Sequence, residues 1–136
     1  MKFLNKTVVV TGGSSGIGAA ISGKFLQEGA TVYILDNKEV PPKQDLNQAQ
    51  NQNNKIHFML CDVSDSGSVT HAIKKITGAN SIIDILVNNA GIILSPENIT
   101  ETSEDQWDCI INTNLKSVFI VSKALLPNMS SGGSII

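Results

Sequence analysis

The chain has 136 residues, 41% of them hydrophobic, and a formal net charge of −2. This length predicts one domain with its own core, since domains commonly span ~100–150 residues. The balanced charge, without a basic run, argues against a nucleic-acid partner, and no apolar run reaches the ~18–20 residues of a membrane span. The N-terminus lacks the apolar segment of a signal peptide, and Cys61 and Cys109 form no metal or redox motif. We therefore expect free thiols and a cytoplasmic protein.

The first half of the chain alternates short apolar runs with one helical pattern. Residues 7–11 predict a strand buried on both faces, and residues 31–35 predict a second strand that ends at Asp36. A helix is predicted between them, ending at Gly29. Its apolar stripe is expected to consist of Ile17, Ala20, Ile21 and Phe25.

The segment after the second strand differs sharply in composition. Eight of the eleven residues from Gln44 to Asn54 are Asn or Gln. So few apolar groups cannot offset the entropy cost of ordering the chain. Residues 37–55 therefore predict a solvated loop, and the sequence assigns this loop no role.

The second half repeats the alternation of strands and helices. Residues 56–61 and 82–87 predict two more strands, and residues 132–136 predict the opening of a fifth. A helix capped by Asp65 or Ser66 is expected to bury Val69, Ala72, Ile73 and Ile76. Another helix starts at Thr102 or Ser103, and a longer helical region spans residues 114–126 before Pro127.

This order of elements predicts an α/β fold. We expect a Rossmann-like, doubly wound parallel sheet with helices on both faces, forming one dinucleotide-binding domain over residues 1–136. Since residue 136 falls inside the fifth strand, the domain is expected to be truncated there.

A glycine-rich turn, Gly12-Gly13-Ser14-Ser15-Gly16-Ile17-Gly18, joins the first strand to the first helix. In that setting Gly12 permits a tight turn, Gly16 lets a pyrophosphate approach the main chain, and Gly18 lets the helix pack close to the sheet. The helix N-terminus then offers N–H groups and partial positive charge to the anion. The turn predicts a dinucleotide site that includes Ser14, Ser15 and Ile17.

Asp36 lies 24 residues beyond Gly12, at the end of the second predicted strand. A carboxylate there accepts hydrogen bonds from the adenosine ribose hydroxyls and repels a 2′-phosphate, so NAD is favoured over NADP. The positive charge of the nearby Lys38 instead favours NADP. The alternative interpretation of Asp36 is an ordinary turn residue that ends a strand.

Four motifs in order resemble the short-chain dehydrogenase/reductase family over residues 5–136. These are the T-G-x-x-x-G-x-G turn, Asp62-Val63 after the third strand, Asn88-Asn89-Ala90-Gly91 after the fourth, and Asn114 in the following helical region. The resemblance implies adenine contact for Asp62 and Val63, and cofactor lining for Asn88, Ala90 and Gly91. Asn89 has a structural alternative, in which its amide pins neighbouring strands. For Asn114 the resemblance implies a catalytic role, bending its helix and holding a water in a proton relay.

The activity implied by the resemblance is hydride transfer between NAD(H) and a small-molecule alcohol or carbonyl, in a homo-oligomer when full length. Such enzymes also use a Ser and a Tyr-x-x-x-Lys pair. The one tyrosine, Tyr33, lies in the second predicted strand with Asn37 four residues later, and Ser134 is not in the matching position. The 136-residue chain by itself is therefore expected to be inactive, as a partial chain of such an enzyme.

Two other classes stay open at the level of sequence. The first is a non-catalytic dinucleotide-binding fragment or decayed gene product, which the missing Tyr-x-x-x-Lys pair favours. The second is an extended-type epimerase or dehydratase of related fold. The three residues between Gly12 and Gly16 argue against that class, which usually carries T-G-x-x-G-x-x-G.

Overall fold

The computed structural model describes residues 1–38, 56–78, 82–94 and 98–136, so residues 39–55 of the predicted loop, including its Asn/Gln-rich stretch, lie outside the described residues. Within this part of the chain, five strands form one sheet. Their bounds are β1 (Thr7–Thr11), β2 (Thr31–Asp36), β3 (Ile56–Leu60), β4 (Ile83–Val87) and β5 (Met129–Ile135). The helices are α1 (Gly16–Gln27), α2 (Ser66–Thr77), α3 (Glu104–Ile111) and α4 (Ser117–Leu125), with a π-helix at Asn112–Lys116 and a 3-10 turn at Leu126–Asn128.

All the neighbouring strands pair in parallel, in the order β3-β2-β1-β4-β5. The chain builds outward from β1 to β3 and then crosses to the other side of β1 for β4 and β5. Both faces of the sheet are covered, as a parallel sheet requires. The predicted Rossmann-like, doubly wound fold is confirmed.

Alternate residues of the central strand supply two separate cores. Val9 packs with α2 and α4, in a cluster that includes Val69, Ile73, Ile76, Val121 and Leu125. Val8 and Val10 point to the opposite face, where they pack with Leu26, Val32 and Ile34. The four predicted core residues of α2 are all buried.

The buried face of α1 differs from the predicted stripe. Ile17 is 76% exposed and Ala20 is also exposed, while Ile21 and Phe25 are half-buried. The buried residues are instead Gly18, Ala19, Ser22 and Leu26. Small residues face the sheet because the helix lies too close to it for long side chains. The stripe prediction was therefore wrong at its N-terminal end.

Helix ends follow the expected local chemistry. Gly29 has φ +94°, and the Gly29 and Ala30 amides donate to the carbonyls of Leu26 and Phe25, which closes α1 with a Schellman motif. Asp65 caps α2 by accepting from the amides of Gly67 and Ser68. Ser103 starts α3 with a capping box.

Strand β5 begins three residues earlier than the glycines suggested. Its pairing with β4 is irregular: Ile83 faces Met129, whereas Ile85 faces Ser134. The extra residues of β5 interrupt the alternation of side chains between the two faces that marks a regular strand. For this reason the sequence predicted a strand only from Gly132 onward.

The helical stretch Glu104–Asn128 is, by length and composition alone, apolar enough to cross a membrane. This differs from the expectation from the sequence that no apolar run reaches the length of a membrane span. The stretch packs on the sheet through Val121 and Leu125, which are fully buried, while Phe119 is 63% exposed. Its buried contacts are those of a helix that covers one face of a sheet.

Asp84 ties three elements together at the amino end of the sheet. Its carboxylate forms an ion pair with Lys6 at 2.8 Å, accepts from the Thr7 amide at 2.9 Å, and accepts from the Ser130 hydroxyl at 3.3 Å. Burial raises the pKa of Asp84, but these hydrogen bonds and the Lys6 charge outweigh burial and leave the pKa below its usual value.

We expect this carboxylate to make stability depend on pH. A lowered pKa in the folded state gives stabilisation that is complete above the unfolded pKa of ~3.9 and is lost as pH falls through the folded value. Asp84→Asn should reduce the free energy of unfolding at pH 7 by about 2 kcal/mol, since hydrogen bonds to charged groups contribute about 1.5–3 kcal/mol. It should also flatten the acid limb of the profile, measured by urea unfolding from pH 2.5 to 7. Asp108→Asn, at an exposed position of α3, is the control, and an equal loss in both variants would contradict the assignment.

Candidate functional site

The carboxyl ends of β1, β2, β3 and β4 meet at one cavity of about 630 Å³. Each strand end contributes its following residues, and α1, α3 and the π-helix complete the wall. The lining residues are Gly12, Ser15, Ile17, Gly18, Leu35, Asp36, Asn37, Lys38, Cys61, Asp62, Val63, Ser64, Asn89, Ala90, Gly91, Ile92, Cys109 and Thr113. A crevice beside the switch in strand order is where open α/β sheets bind ligands.

The glycine turn is shaped by close backbone contacts. Gly12 has φ +62°, and a Cβ on it would lie 2.9 Å from Cα of Ala90. A Cβ on Gly18 would lie 2.1 Å from the Gly12 carbonyl oxygen, so α1 reaches the turn only with glycine there. Beside Gly16, in contrast, no atom of the described residues lies within 4 Å of the corresponding position. The turn is therefore tight against the sheet and open at Gly16.

The N-terminus of α1 differs from those of α2 and α3. Asp65 and Ser103 cap the other two helices with their side chains, but Ser15 makes no side-chain cap hydrogen bond. The first turns of α1 and α2 both lack an acidic residue, but α2 has the Asp65 carboxylate at its N-cap. A helix N-terminus that supplies no anion of its own suits an external anion. Such a group fits beside the open space at Gly16.

Asp36 lies half-buried at the end of β2 and lines the cavity. Its Oδ2 accepts from both the amide (3.2 Å) and the hydroxyl of Ser14, and its Oδ1 accepts from the Lys38 amide at 3.2 Å. Ser14 itself is 1% exposed and does not line the cavity. The carboxylate is therefore fixed against the glycine turn.

Asp62 and Val63 occupy the wall supplied by β3. Asp62 Oδ1 accepts from the amide and hydroxyl of Ser64 at 2.9 and 2.7 Å, and the Asp62 amide donates to Ser68 Oγ at 3.0 Å. These bonds shape the loop that leads into α2. The adenine contact of Asp62 and Val63 stays a prediction.

The two asparagines after β4 point in different directions. Asn89 Nδ2 donates to the carbonyls of Thr11 and Gly12 at 3.0 and 3.1 Å, while the amides of Asn89 and Ala90 donate to Thr11 Oγ1. Asn89 thus pins the glycine turn to β4 as well as lining the cavity. Asn88 lies outside the cavity lining, and its side-chain Nδ2 donates to Ser122 Oγ at 3.4 Å.

Asn114 lies within the π-helix and does not line the cavity. Its Oδ1 accepts from the Ile92 amide at 2.8 Å, and its Nδ2 donates to the Ile92 carbonyl at 2.9 Å. The side chain thus imitates a paired strand residue and holds the segment after Gly91. Its catalytic role stays a prediction.

The cavity also includes residues that the sequence reasoning passed over. Leu35, Asn37, Ser64 and Ile92 directly flank predicted residues at strand ends, so proximity in sequence could have indicated them, and Lys38, which the sequence weighed against Asp36, also lines the cavity. Cys61 and Cys109, to which the sequence assigned no motif, both line the cavity as free cysteines. Burial raises the pKa of the Cys61 thiol, which keeps it protonated. Cys109 and Thr113 come from helical segments across the cavity, and no sequence signal connects them to it.

Comparison with known proteins agrees with this geometry. The family model for short chain dehydrogenase matches residues 6–136, and the chain belongs to that family. It is 37% identical over 126 residues to a cyclopentanol dehydrogenase of Comamonas sp. (strain NCIMB 9872), covering 92% of this chain and 50% of that protein. It is 34% identical over 138 residues to a 3-oxoacyl-(acyl-carrier-protein) reductase of Thermotoga maritima, covering 100% and 56%.

Solved structures show the same fold. A Serratia marcescens short-chain dehydrogenase/reductase variant has a TM-score of 0.89 at 29% identity, covering 99% of this chain and 55% of that one. A Brucella melitensis 3-ketoacyl-(acyl-carrier-protein) reductase complexed with NADH has a TM-score of 0.83 at 26% identity, covering 93% and 51%. The chain spans about half the length of the curated relatives it matches.

Proposed function

We propose that this chain forms the cofactor-holding part of an NAD(H)-dependent oxidoreductase that acts on an alcohol or carbonyl. The observation that carries the proposal is one cavity at which the glycine turn, the uncapped N-terminus of α1 and the Asp36 carboxylate meet. A dinucleotide needs these three features together, since it presents a pyrophosphate and a ribose diol about one nucleoside apart. The NADH complex of the Brucella relative supports the choice of cofactor class.

The residues present fit this group. Main-chain N–H groups of the turn from Gly12 to Gly18 would hold the pyrophosphate, and Asp36 would hold the adenosine ribose. Asp62 and Val63 would face the adenine, and Ala90 and Gly91 would line the wall that follows β4. Bound NAD(H) supplies the hydride acceptor or donor.

The proposed preference for NAD over NADP follows from charge. The Asp36 carboxylate is fixed at the cavity wall, where it would repel a 2′-phosphate, whereas Lys38 lines the same wall and would attract it. Asp36 prevails in our proposal because its side chain is held in place by hydrogen bonds to Ser14 and Lys38, while the Lys38 residue is exposed to solvent.

A non-catalytic dinucleotide-binding module is the second candidate. Tyr33 is the one tyrosine in the sequence, and it lies within β2, stacked on His57 with ring centroids 4.6 Å apart. Tyr33 packs against the core cluster that contains Val9. The residue four positions later is Asn37 and not a lysine, so Tyr33 cannot serve as the acid–base tyrosine of the family. The 136-residue chain could therefore bind a dinucleotide without turning it over.

We expect the chain to bind NAD and to show no hydride transfer. Calorimetric titration should give a smaller dissociation constant for NAD than for NADP, while absorbance at 340 nm with a panel of alcohols should stay at the background rate. Asp36→Asn should weaken NAD binding about tenfold, since hydrogen bonds to a charged acceptor contribute about 1.5–3 kcal/mol. Failure to bind either dinucleotide, or tighter binding of NADP, would contradict the proposal, and NADH production above background would contradict the expected inactivity.

A further inference from the structure

The Asp36 carboxylate uses most of its hydrogen-bond acceptor positions for contacts within the protein. An ionised carboxylate offers about four acceptor positions. Two of them, both on Oδ2, are used by the amide and hydroxyl of Ser14, and one on Oδ1 is used by the Lys38 amide. Within the part of the chain that the structure describes, these bonds leave about one acceptor position on Oδ1 for a ligand.

The fold positions Ser14 to make this contact with Asp36. The residue is 1% exposed, does not line the cavity, and lies in a turn whose Gly12 amide donates to the Leu35 carbonyl at 2.8 Å. That backbone bond sets the turn against the end of β2, so the Ser14 hydroxyl reaches Oδ2 without any contact of its own with the cavity. Its hydrogen bond is charge-assisted, and such bonds are roughly twice as strong as neutral ones.

Holding Oδ2 in this way leaves Oδ1 as the oxygen available to a ligand and prevents the carboxylate from turning away. A ribose 2′-hydroxyl can donate to Oδ1, whereas a 2′-phosphate meets a fixed negative charge. A carboxylate that could rotate into solvent would still accept from a hydroxyl at some cost, but it would repel the phosphate much less. Discrimination thus depends on the immobility of Asp36 as well as on its charge.

We propose that Ser14 is a positioning residue that sets the cofactor specificity of this site, by fixing the Asp36 carboxylate so that the site selects a dinucleotide with a free ribose 2′-hydroxyl over one with a 2′-phosphate. The inference rests on the proposed function, because it requires that NAD and NADP compete for this cavity.

The test is a double-mutant cycle on the dissociation constants of NAD and NADP, measured by calorimetry on the full chain. Ser14→Ala should lower the preference for NAD about tenfold while Asp36 is still present. Ser14→Cys, nearly isosteric and only a weak donor, should do the same and provides a second measurement if the alanine variant does not fold. In the Asp36→Ala background, Ser14→Ala should leave the ratio unchanged, because there is no carboxylate left to position.

Ser15→Ala is the matched control in the same turn. Ser15 lines the cavity and makes no contact with Asp36 among the hydrogen bonds described, so its replacement should change the two dissociation constants by the same factor. Wild-type protein that binds neither dinucleotide, or prefers NADP, would overturn the proposed function and this inference with it. Wild-type preference for NAD that persists in both Ser14 variants, or an equal effect of Ser14→Ala with and without Asp36, would overturn the role of Ser14 alone.

Discussion

Gly18→Ala is expected to lower the free energy of unfolding by about 2–3 kcal/mol, which is the upper part of the range for overpacked positions. The added Cβ would lie 2.1 Å from the Gly12 carbonyl oxygen and 2.5 Å from Nδ2 of Asn89. The first of these atoms belongs to the backbone and cannot move aside alone. Helix α1 must therefore shift away from the turn, and its N-terminus moves with it.

Dinucleotide binding should be lost in the same variant. The N-terminus of α1 has no side-chain cap and is proposed to face the pyrophosphate, so a helix displaced from the turn no longer presents its N–H groups there. Urea unfolding and calorimetric titration of NAD measure the two effects separately.

Gly23→Ala is the matched control for this substitution. Gly23 lies in the same helix, and a Cβ on it would meet no atom within 4 Å in the part of the chain that the structure describes. Alanine is favoured over glycine in a helix interior by about 0.8–1.0 kcal/mol, so this variant should be more stable than the wild type and bind NAD equally well. Similar destabilisation by the two alanines would refute the packing explanation for Gly18.

Asn89→Ala should also destabilise the chain strongly, by about 2–3 kcal/mol, because each buried polar group left unpaired costs about 1–3 kcal/mol. The variant removes the donor that serves the carbonyls of Thr11 and Gly12. It also removes the side-chain link between the start of the glycine turn and the end of β4, while the backbone amides of residues 89 and 90 still donate to Thr11 Oγ1. NAD affinity should decrease together with stability, since the turn loses the contact that holds its first residue.

The adjacent asparagine provides the comparison. Asn88 is half-buried like Asn89, but its side chain makes one long hydrogen bond, to Ser122 at 3.4 Å. Asn88→Ala should therefore lower the free energy of unfolding by about 0.5–1.5 kcal/mol, the usual net contribution of one hydrogen bond. Equal losses measured by urea unfolding for the two variants would show that the contact between Asn89 and the turn is not what stabilises this corner.

The features that depend only on residues close in sequence could be predicted from the sequence. Strand β1 is found at residues 7–11 as its run of β-branched residues predicted. Asp65 and Ser103 start their helices, and Gly29 closes its helix, by contacts within a few residues of themselves. The alternation of elements also determined the fold class, because parallel strands joined by helices have few ways to cover both faces of a sheet.

The direction of individual side chains depended on the tertiary structure. Periodicity placed Ile17 and Ala20 toward the core, yet the close approach of α1 to the glycine turn selects Gly18, Ala19 and Ser22 instead. Cys109 and Thr113 reach the cavity from helical segments remote in sequence from any strand end.

The amino-acid sequence by itself determined the order of strands and helices, the glycine turn and the acidic residue at the end of β2, because each of these depends on neighbouring residues. Only the tertiary structure decided that Ser14 turns inward to Asp36 and that Asn114 pairs with the backbone of Ile92. For Asn89, whose amide the sequence already suggested as a link between neighbouring strands, the structure identified the partners, the carbonyls of Thr11 and Gly12. Those contacts join residues 22 to 78 positions apart, and local patterns carry no information about partners that only the folded sheet brings within 3 Å.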